Sequence, residues 1–281
     1  MNVNDYSEKW YKTLAGQDAL QTIDSLCTDA MSEIFGYYAL QMGFLSEQHD
    51  LLINSRIAAG FSLIEKDSRG FSDVASTLIK NVEHNKNDID ITPNNTNRNL
   101  IISTNEQLPI ETDNIDLVIA THALETSIDP HQVLREIDRI LVPEGHCILI
   151  GFNPFSLVRA GQFFKPEYYK KVNANNKKLR SAHRVRDWFS VLGFEVLDVH
   201  HFGFRPRVKN QKLFDSLLWL EKLGKTAWPV LGNMYILHVK KQVVAMHPHK
   251  KVWKAPAVLT GGKVALNNTA RKVRRQNFYN L

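Results

Sequence analysis

Three residues whose side chains could take part in catalysis or binding lie at the ends of two apolar runs. Thr121 and His122 follow the run at 116–120, and Asn153 follows the run at 146–151. An imidazole exchanges a proton near neutral pH, so His122 is a candidate general base, and Asn153 is a second catalytic candidate. The alternative for His122 is a structural role, in which the ring packs or hydrogen-bonds inside the fold.

The elements that position these residues form a strand–helix–strand unit. The run at 116–120 has no polar alternation, as expected of a strand buried on both faces. Asp129 and Pro130 suit the N-cap and the first position of a helix, and 143–145 should stop that helix before a second strand at 146–151. Such a unit leaves its ligand crevice at the carboxyl ends of the strands.

The sequence around this unit resembles the class I S-adenosylmethionine-dependent methyltransferases. The residues that carry the resemblance are Leu108-Pro109-Ile110, Asp113, Asp116, the run Thr121-His122-Ala123-Leu124-Glu125, and 134–145. The run GFNPFSL and Ser55-Arg56-Ile57 are similar to a type 11-like bacterial branch with an eroded glycine motif. The resemblance implies an α/β fold: a Rossmann-like, doubly wound, mostly parallel seven-stranded sheet with an antiparallel last strand.

Further elements are predicted from periodicity and punctuation. Helices are expected at 17–35, after Ser181 and around 213–220, and strands at 37–42, at 49–54 or 60–65, at 100–103, at 194–201 and at 235–240. The strand at 235–240 alternates apolar and polar residues, which is typical of an edge strand.

The resemblance implies S-adenosyl-L-methionine as the cofactor. The glycine-rich turn that follows the first strand in this family is reduced here to Gly43, with Phe44 where a small residue is expected. The helix that should follow this turn is weakly encoded. Glu65 ends the second strand, where the family has an acid that binds the ribose hydroxyls, and the alternative is a surface acid in a turn.

Four more positions follow from the same resemblance. Thr104 stands where the family has an aspartate that binds the adenine amino group, and Thr104 or Asn105 can still accept a hydrogen bond there. Thr121 and His122 would line the crevice near the sulfonium. Asn153 begins an Asn-Pro-Phe run that follows the fifth strand, so it is interpreted as a lip of the crevice.

Charge is distributed unevenly along the chain. No Asp or Glu follows Glu221, whereas 12 of the 35 Lys and Arg residues do. Residues 1–221 therefore carry 35 − 12 = 23 basic and 29 acidic residues, a net charge of −6. This asymmetry predicts that a nucleic acid or another polyanion would contact the C-terminal tail, and the alternative is a solvated tail.

Domain organisation is predicted from the resemblance and the order of elements, and the compartment from composition and the resemblance. We expect a methyltransferase-like domain at 1–241, with an Asn-rich insertion at 81–99 and a crevice cover at 155–182, followed by a basic tail at 242–281. No metal site, membrane span or secretory signal is predicted, two cysteines suit a reducing cytoplasm, and the resemblance implies a bacterial cytoplasmic protein.

Three functions compete at this point. The first is a methyltransferase of unknown acceptor, since methyl transfer needs positioning and desolvation more than a catalytic side chain. The second is an inactive relative that binds RNA or another polyanion. The third, an NAD-binding oxidoreductase, is disfavoured because no GxGxxG motif exists.

Overall fold

The computed structural model describes residues 7, 9–65, 99–156, 179–206, 208 and 210–242. All of them belong to one compact unit, Met1–Val243. The second unit, Val244–Leu281, lies outside the described residues, as do almost all of the predicted insertion at 81–99 and most of the predicted crevice cover at 155–182. The proposed domain limits therefore stay predictions.

The described elements alternate between helix and strand over much of the chain. In chain order they are α1 Leu14–Met31, β1 Phe35–Gly43, β2 Arg56–Glu65, β3 Asn99–Ser103, β4 Ile115–Thr121, α2 Ala123–Thr126, α3 Pro130–Ile140, β5 Leu141–Phe152, α4 Ala182–Val191, β6 Phe194–Phe202, α5 Gln211–Ser216, α6 Leu218–Ala227 and β7 Met234–Lys241. Short 3₁₀ helices lie at Phe44–Glu47 and Pro229–Leu231.

One seven-stranded sheet organises these elements, in the order β3-β2-β1-β4-β5-β7-β6. Strands β1 to β5 pair in parallel, and β7 runs antiparallel to both β5 and β6. This confirms the predicted mostly parallel, doubly wound sheet with an antiparallel last strand. Two apolar clusters pack on it, one of them containing the buried face of α1 and the other that of α3.

The prediction that the last strand lies at an edge is wrong. β7 lies between β5 and β6, and residues 234–237 are all buried, so β6 is the edge strand instead. The polar residues of β7 fall in its second half, at 238–241. The edge prediction rested on the alternation in this second half. The spacing of residues in the sequence does not reveal that β7 inserts between β5 and β6.

Helix α3 begins where the sequence predicts. The Asp129 carboxylate accepts hydrogen bonds from the backbone N–H of His131 (2.9 Å) and of Gln132 (3.3 Å), and Pro130 is the first helical residue. The helix ends at Ile140, and the chain passes directly into β5. The predicted break at 143–145 is therefore part of the strand, because Leu141 already pairs with Ile115 of β4.

Two charged residues of α3 also fix the loop that follows β3. The Glu136 carboxylate accepts from the backbone N–H of Leu108 (3.1 Å), and the Arg139 guanidinium donates to the carbonyls of Leu108 (3.0 Å) and Ile110 (2.8 Å). Glu136 and Arg139 form an ion pair at 2.8 Å, and the hydrogen bond from Arg139 lowers the pKa of Glu136. This part of the motif therefore fixes the loop that follows β3.

Two histidines join β5 to β7. Nδ1 of His146 lies 2.9 Å from Nε2 of His238. Burial lowers the pKa of His238 to about 4, with the neighbouring His146 as a further cause. Burial also lowers the pKa of His146. Both rings are therefore neutral in the folded protein at neutral pH.

The free energy of unfolding is expected to fall as the pH is lowered from 6.5 to about 4. Over this range the unfolded chain takes up a proton at His238 while the folded chain does not, so stability present above pH 6.5 is lost as the pH falls toward the folded-state pKa. Urea unfolding at a series of pH values measures this loss, and His238→Gln should reduce it. The exposed His183 serves as the control, since His183→Gln should change the profile less than His238→Gln does. A wild-type profile in His238→Gln would contradict this assignment.

Candidate functional site

The predicted site residues lie at neighbouring strand ends. Gly43 at the end of β1 pairs with Thr121 at the end of β4, and Glu65 at the end of β2 pairs with Ser103 at the end of β3. Thr104 and Asn105 continue from β3, His122 continues from β4 and Asn153 continues from β5. The sheet therefore brings the carboxyl ends of these strands together, which is where a ligand crevice lies in a parallel α/β sheet.

Gly43 lets the end of β1 pack directly on the end of β4. Its φ is +91°, and a Cβ at this position would meet the backbone carbonyl of Thr121 and come 3.2 Å from the N–H of Ala123. The Thr121 hydroxyl donates to the Met42 carbonyl (3.1 Å) and accepts from the Leu45 N–H (3.0 Å). Thr121 is thus buried and engaged in holding two strand ends together.

The connection after Gly43 is short and bonded to its own strands. A 3₁₀ helix at Phe44–Glu47 stands where the resemblance implies an α-helix. The Ser46 hydroxyl donates to the Gly43 carbonyl at 2.6 Å, and it lies 2.5 Å from the Leu63 carbonyl. Four residues form no extended helix, so this connection does not offer the row of free N–H groups that anion binding needs.

His122 is enclosed on all sides. Its backbone is left-handed, with φ of 55°, and its Nε2 lies 2.7 Å from the Tyr11 hydroxyl. Its ring stacks on Phe152, with centroids 4.3 Å apart and planes 20° from parallel. Nδ1 is buried, has no hydrogen-bond partner in the part of the chain that the structure describes, and lies 3.7 Å from Oε1 of Glu125.

Two further buried polar residues complete what we call the buried polar cluster: Tyr11, His122, Glu125 and Tyr235. Oε1 of Glu125 accepts from the Phe152 N–H at 2.8 Å. A Cβ on Gly151 would lie 2.7 Å from the Tyr235 hydroxyl and 2.9 Å from the same carboxylate oxygen, so both groups cover that glycine. Burial, and then the charge of Glu125, raise the pKa of both tyrosines.

Trp10 and Tyr11 close this end of the site. The Tyr11 ring stacks on Phe44, with centroids 5.9 Å apart and planes 10° from parallel. Trp10 packs edge-on against Tyr11 at 4.8 Å and against Phe152 at 5.3 Å. Both side chains are buried. The aromatic layer of Trp10, Tyr11 and Phe44 therefore packs on His122, which the resemblance places near the sulfonium, and occupies the turn after Gly43, which it places near the methionine part.

The end of the site next to β2 and β3 contains a hydrogen-bond acceptor, Oδ1 of Asn105, that no described residue engages. Asn105 is fully buried, and its Nδ2 lies 3.4 Å from the Thr126 hydroxyl, while Oδ1 accepts no hydrogen bond from the described residues. Thr104 lies in a turn that bridges to Gln107. Glu65 lies next to this turn, because its partner in β3, Ser103, directly precedes Thr104.

Asn153 has a structural position. Its Nδ2 donates to the carbonyls of Val230 (2.7 Å) and Gly232 (2.9 Å), and its Oδ1 accepts from the Phe155 N–H (3.1 Å). Both polar atoms of the amide are therefore engaged, and the nitrogen joins the end of β5 to the segment before β7. This arrangement suits the predicted lip of the crevice and offers no free group for catalysis.

Sequence reasoning did not identify Tyr11, Glu125 or Tyr235 as site residues. Tyr11 reaches His122 across 111 positions of the chain, and periodicity carries no information on such a contact. Glu125 did carry a signal, since it is an acid inside the quoted motif directly after a buried strand. Tyr235 gave none, because it reads as one apolar residue of a strand.

Comparisons with known proteins agree with this architecture. A family model described as a methyltransferase domain matches residues 71–149. A Thermotoga maritima protein described as an S-adenosylmethionine-dependent methyltransferase, possible histamine N-methyltransferase, superposes with a TM-score of 0.50 at 16% identity, over 85% of this chain and 96% of that chain. Over residues 71–149 the chain is similar to the methyltransferase domain family, and its sheet has the fold of S-adenosylmethionine-dependent methyltransferases.

Two other comparisons bear on this methyltransferase fold. The [4+2]-cyclase SpnF superposes with a TM-score of 0.50 at 16% identity, over 81% of this chain and 82% of that chain. The fold therefore serves more than one reaction. The uncharacterized protein YafS of Escherichia coli is 28% identical over 153 residues, which are 54% of this chain. The matched part spans 59% of that relative's length.

The described residues of the candidate site would fit S-adenosylmethionine unequally. Its nucleoside part would meet an acid at the end of β2 and a buried amide oxygen after β3 that accepts no hydrogen bond from the described residues. The amino-acid part would have to replace the aromatic layer of Trp10, Tyr11 and Phe44. The described site therefore offers polar groups for a nucleoside and is closed by aromatic rings where the methionine would lie.

Proposed function

We propose that this protein is an S-adenosylmethionine-dependent methyltransferase of unknown acceptor. The observation that carries the proposal is the unpaired Oδ1 of Asn105, buried beside the strand end that bears Glu65. A buried acceptor without a partner costs free energy unless a ligand supplies a donor, and an adenine amino group is such a donor. A bacterial, cytoplasmic setting is part of the same proposal.

The chain's own residues then have distinct roles. When bound, the cofactor supplies a methyl group on a sulfonium, which needs positioning and exclusion of water more than covalent help. Nε2 of His122 becomes free to accept a proton from an acceptor substrate when the Tyr11 phenol is displaced. Glu125 is a positioning residue, because its carboxylate lies behind the ring, 3.7 Å from Nδ1.

Saturable binding of S-adenosylhomocysteine is expected in isothermal titration calorimetry. Asn105→Ala should weaken it about fivefold and Glu65→Ala about tenfold to a hundredfold, since neutral hydrogen bonds contribute about 1 kcal/mol and those to charged groups about 1.5–3 kcal/mol. The control is Glu33→Ala, at an exposed position between α1 and β1. Equal affinity in all four proteins would show that the nucleoside does not bind at this edge.

A second candidate function is a non-catalytic binding module, and the aromatic layer favours it. Phe44 stands in the turn that the family keeps small, and Tyr11 stacks on it. In that case the calorimeter would show no heat at millimolar S-adenosylhomocysteine, and the basic tail would carry the function by contacting RNA or another polyanion. The same titration therefore separates the two functions.

A further inference from the structure

The chain between β6 and β7 presents bulky apolar side chains to solvent. Between 42% and 61% of the surface of each of these residues is exposed: Leu213, Leu218, Trp219, Leu223, Trp228 and Val230. We call these six residues the apolar surface. Large contiguous apolar surfaces are rare on soluble proteins and mark sites of interaction.

The apolar surface is built on one side of α6. At 100° per residue, Leu218, Trp219 and Leu223 fall within 140° of each other, on the side opposite the buried Gly224. The 3₁₀ helix Pro229–Leu231 contacts α6 and extends the same region. Three of the six exposed residues therefore share one face of α6, and the other three lie in segments next to that helix.

The charges around this face have one dominant sign. Lys212, Lys222 and Lys225 are exposed on α5 and α6, and the exposed acid in these two helices is Asp215. Glu221, the other acid, is turned inward, where its carboxylate accepts from the N–H groups of Gly203 (3.3 Å) and Phe204 (2.9 Å). The outer face of α6 itself thus combines bulky apolar groups with lysines and no acid.

We propose that the apolar surface docks on a bilayer that contains anionic phospholipids. Helices that lie in a membrane interface bury Trp and Leu at the level of the headgroups, while lysines reach the lipid phosphates. The proposal concerns a helix lying on the membrane; no helix in the described residues is long and apolar enough to span one. The docking does not depend on the proposed methyl transfer.

The chemistry of the surface argues against the other occupants. A nucleic acid would neutralise the lysines but leave leucine and valine side chains exposed, because its backbone offers charge and its bases offer stacking to aromatic rings alone. A second copy of the chain would bring identical lysine-bearing faces together in a two-fold dimer, which like charges disfavour. An anionic bilayer satisfies both the apolar and the basic groups.

Docking would also orient the candidate site. Val230 belongs to the apolar surface, and its carbonyl accepts from Nδ2 of Asn153 at the end of β5. The lip of the crevice is therefore tied to the docking face by a direct hydrogen bond.

Vesicle cosedimentation of the full chain tests the proposal. Vesicles with about one third phosphatidylglycerol should bind the protein at least tenfold more tightly than vesicles of phosphatidylcholine alone, and salt should weaken the binding. The double variant Trp219→Gln, Leu223→Gln should lose at least tenfold in affinity for the anionic vesicles. The variant's positions are half exposed, so circular dichroism should show an unchanged fold. Its control is Ile128→Gln, 95% exposed in the loop before α3, which should bind like the wild type.

Three outcomes would overturn the docking. No binding to anionic vesicles would remove the proposed partner. Undiminished binding by the double variant would assign lipid contact to the basic tail and not to the apolar surface. A stable wild-type dimer in light scattering that the double variant abolishes would assign the surface to a second copy. A failed titration with S-adenosylhomocysteine affects none of these measurements.

Discussion

Gly43→Ala is expected to lower the free energy of unfolding by about 4 kcal/mol, from two separate causes. The backbone at Gly43 has φ of +91° and ψ of −160°, a region that is nearly restricted to glycine and costs other residues about 1–3 kcal/mol. The added methyl group would also collide with the Thr121 carbonyl, and overpacking costs about 1–3 kcal/mol more.

Gly193→Ala is the matched control. Gly193 also has a positive φ, +87°, but a Cβ there would meet no atom within 4 Å. This variant should therefore show the backbone cost alone, about 1–2 kcal/mol. Urea unfolding of both variants gives the difference, which measures the contact between the ends of β1 and β4. Equal losses at the two positions would show that this contact is loose.

Much of the sheet could be predicted from sequence because its signals are local. Runs such as 116–120 are apolar without alternation, and the cap at Asp129 and Pro130 marks one helix start to the residue. The predictions fail where tertiary contacts determine the ends of an element. The first helix ends at Met31 rather than near 35, and β1 begins at Phe35, because strand pairing with β2 starts there.

The candidate site could be predicted only as far as strand ends determine it. Gly43, Glu65 and Thr121 each end a strand, and the register confirms that these ends are neighbours. The sequence gives no sign that Tyr11 covers His122, since that contact depends on where the N-terminal segment packs. Whether Asn105 has a hydrogen-bond partner likewise depends on how the loop packs, which its amino-acid sequence does not reveal.

Tyr11→Ala is expected to tighten the binding of S-adenosylhomocysteine by about 30-fold. In the described arrangement the Tyr11 hydroxyl bonds His122 and the ring stacks on Phe44, and each interaction contributes about 1 kcal/mol to the closed state. A ligand that needs the open state must overcome both, so removing about 2 kcal/mol of closure raises its apparent affinity by that factor.

Tyr11→Phe separates the two contributions. It keeps the stacked ring and removes the hydroxyl, so its affinity should rise about fivefold, between wild type and Tyr11→Ala. Weaker binding in Tyr11→Ala would instead mean that the phenol contacts the ligand and does not exclude it. Undetectable binding in all three proteins would mean that Phe44 and the short turn after Gly43 block the site without help from Tyr11. The order of the three affinities therefore decides whether the aromatic layer is a removable cover or a permanent part of the fold.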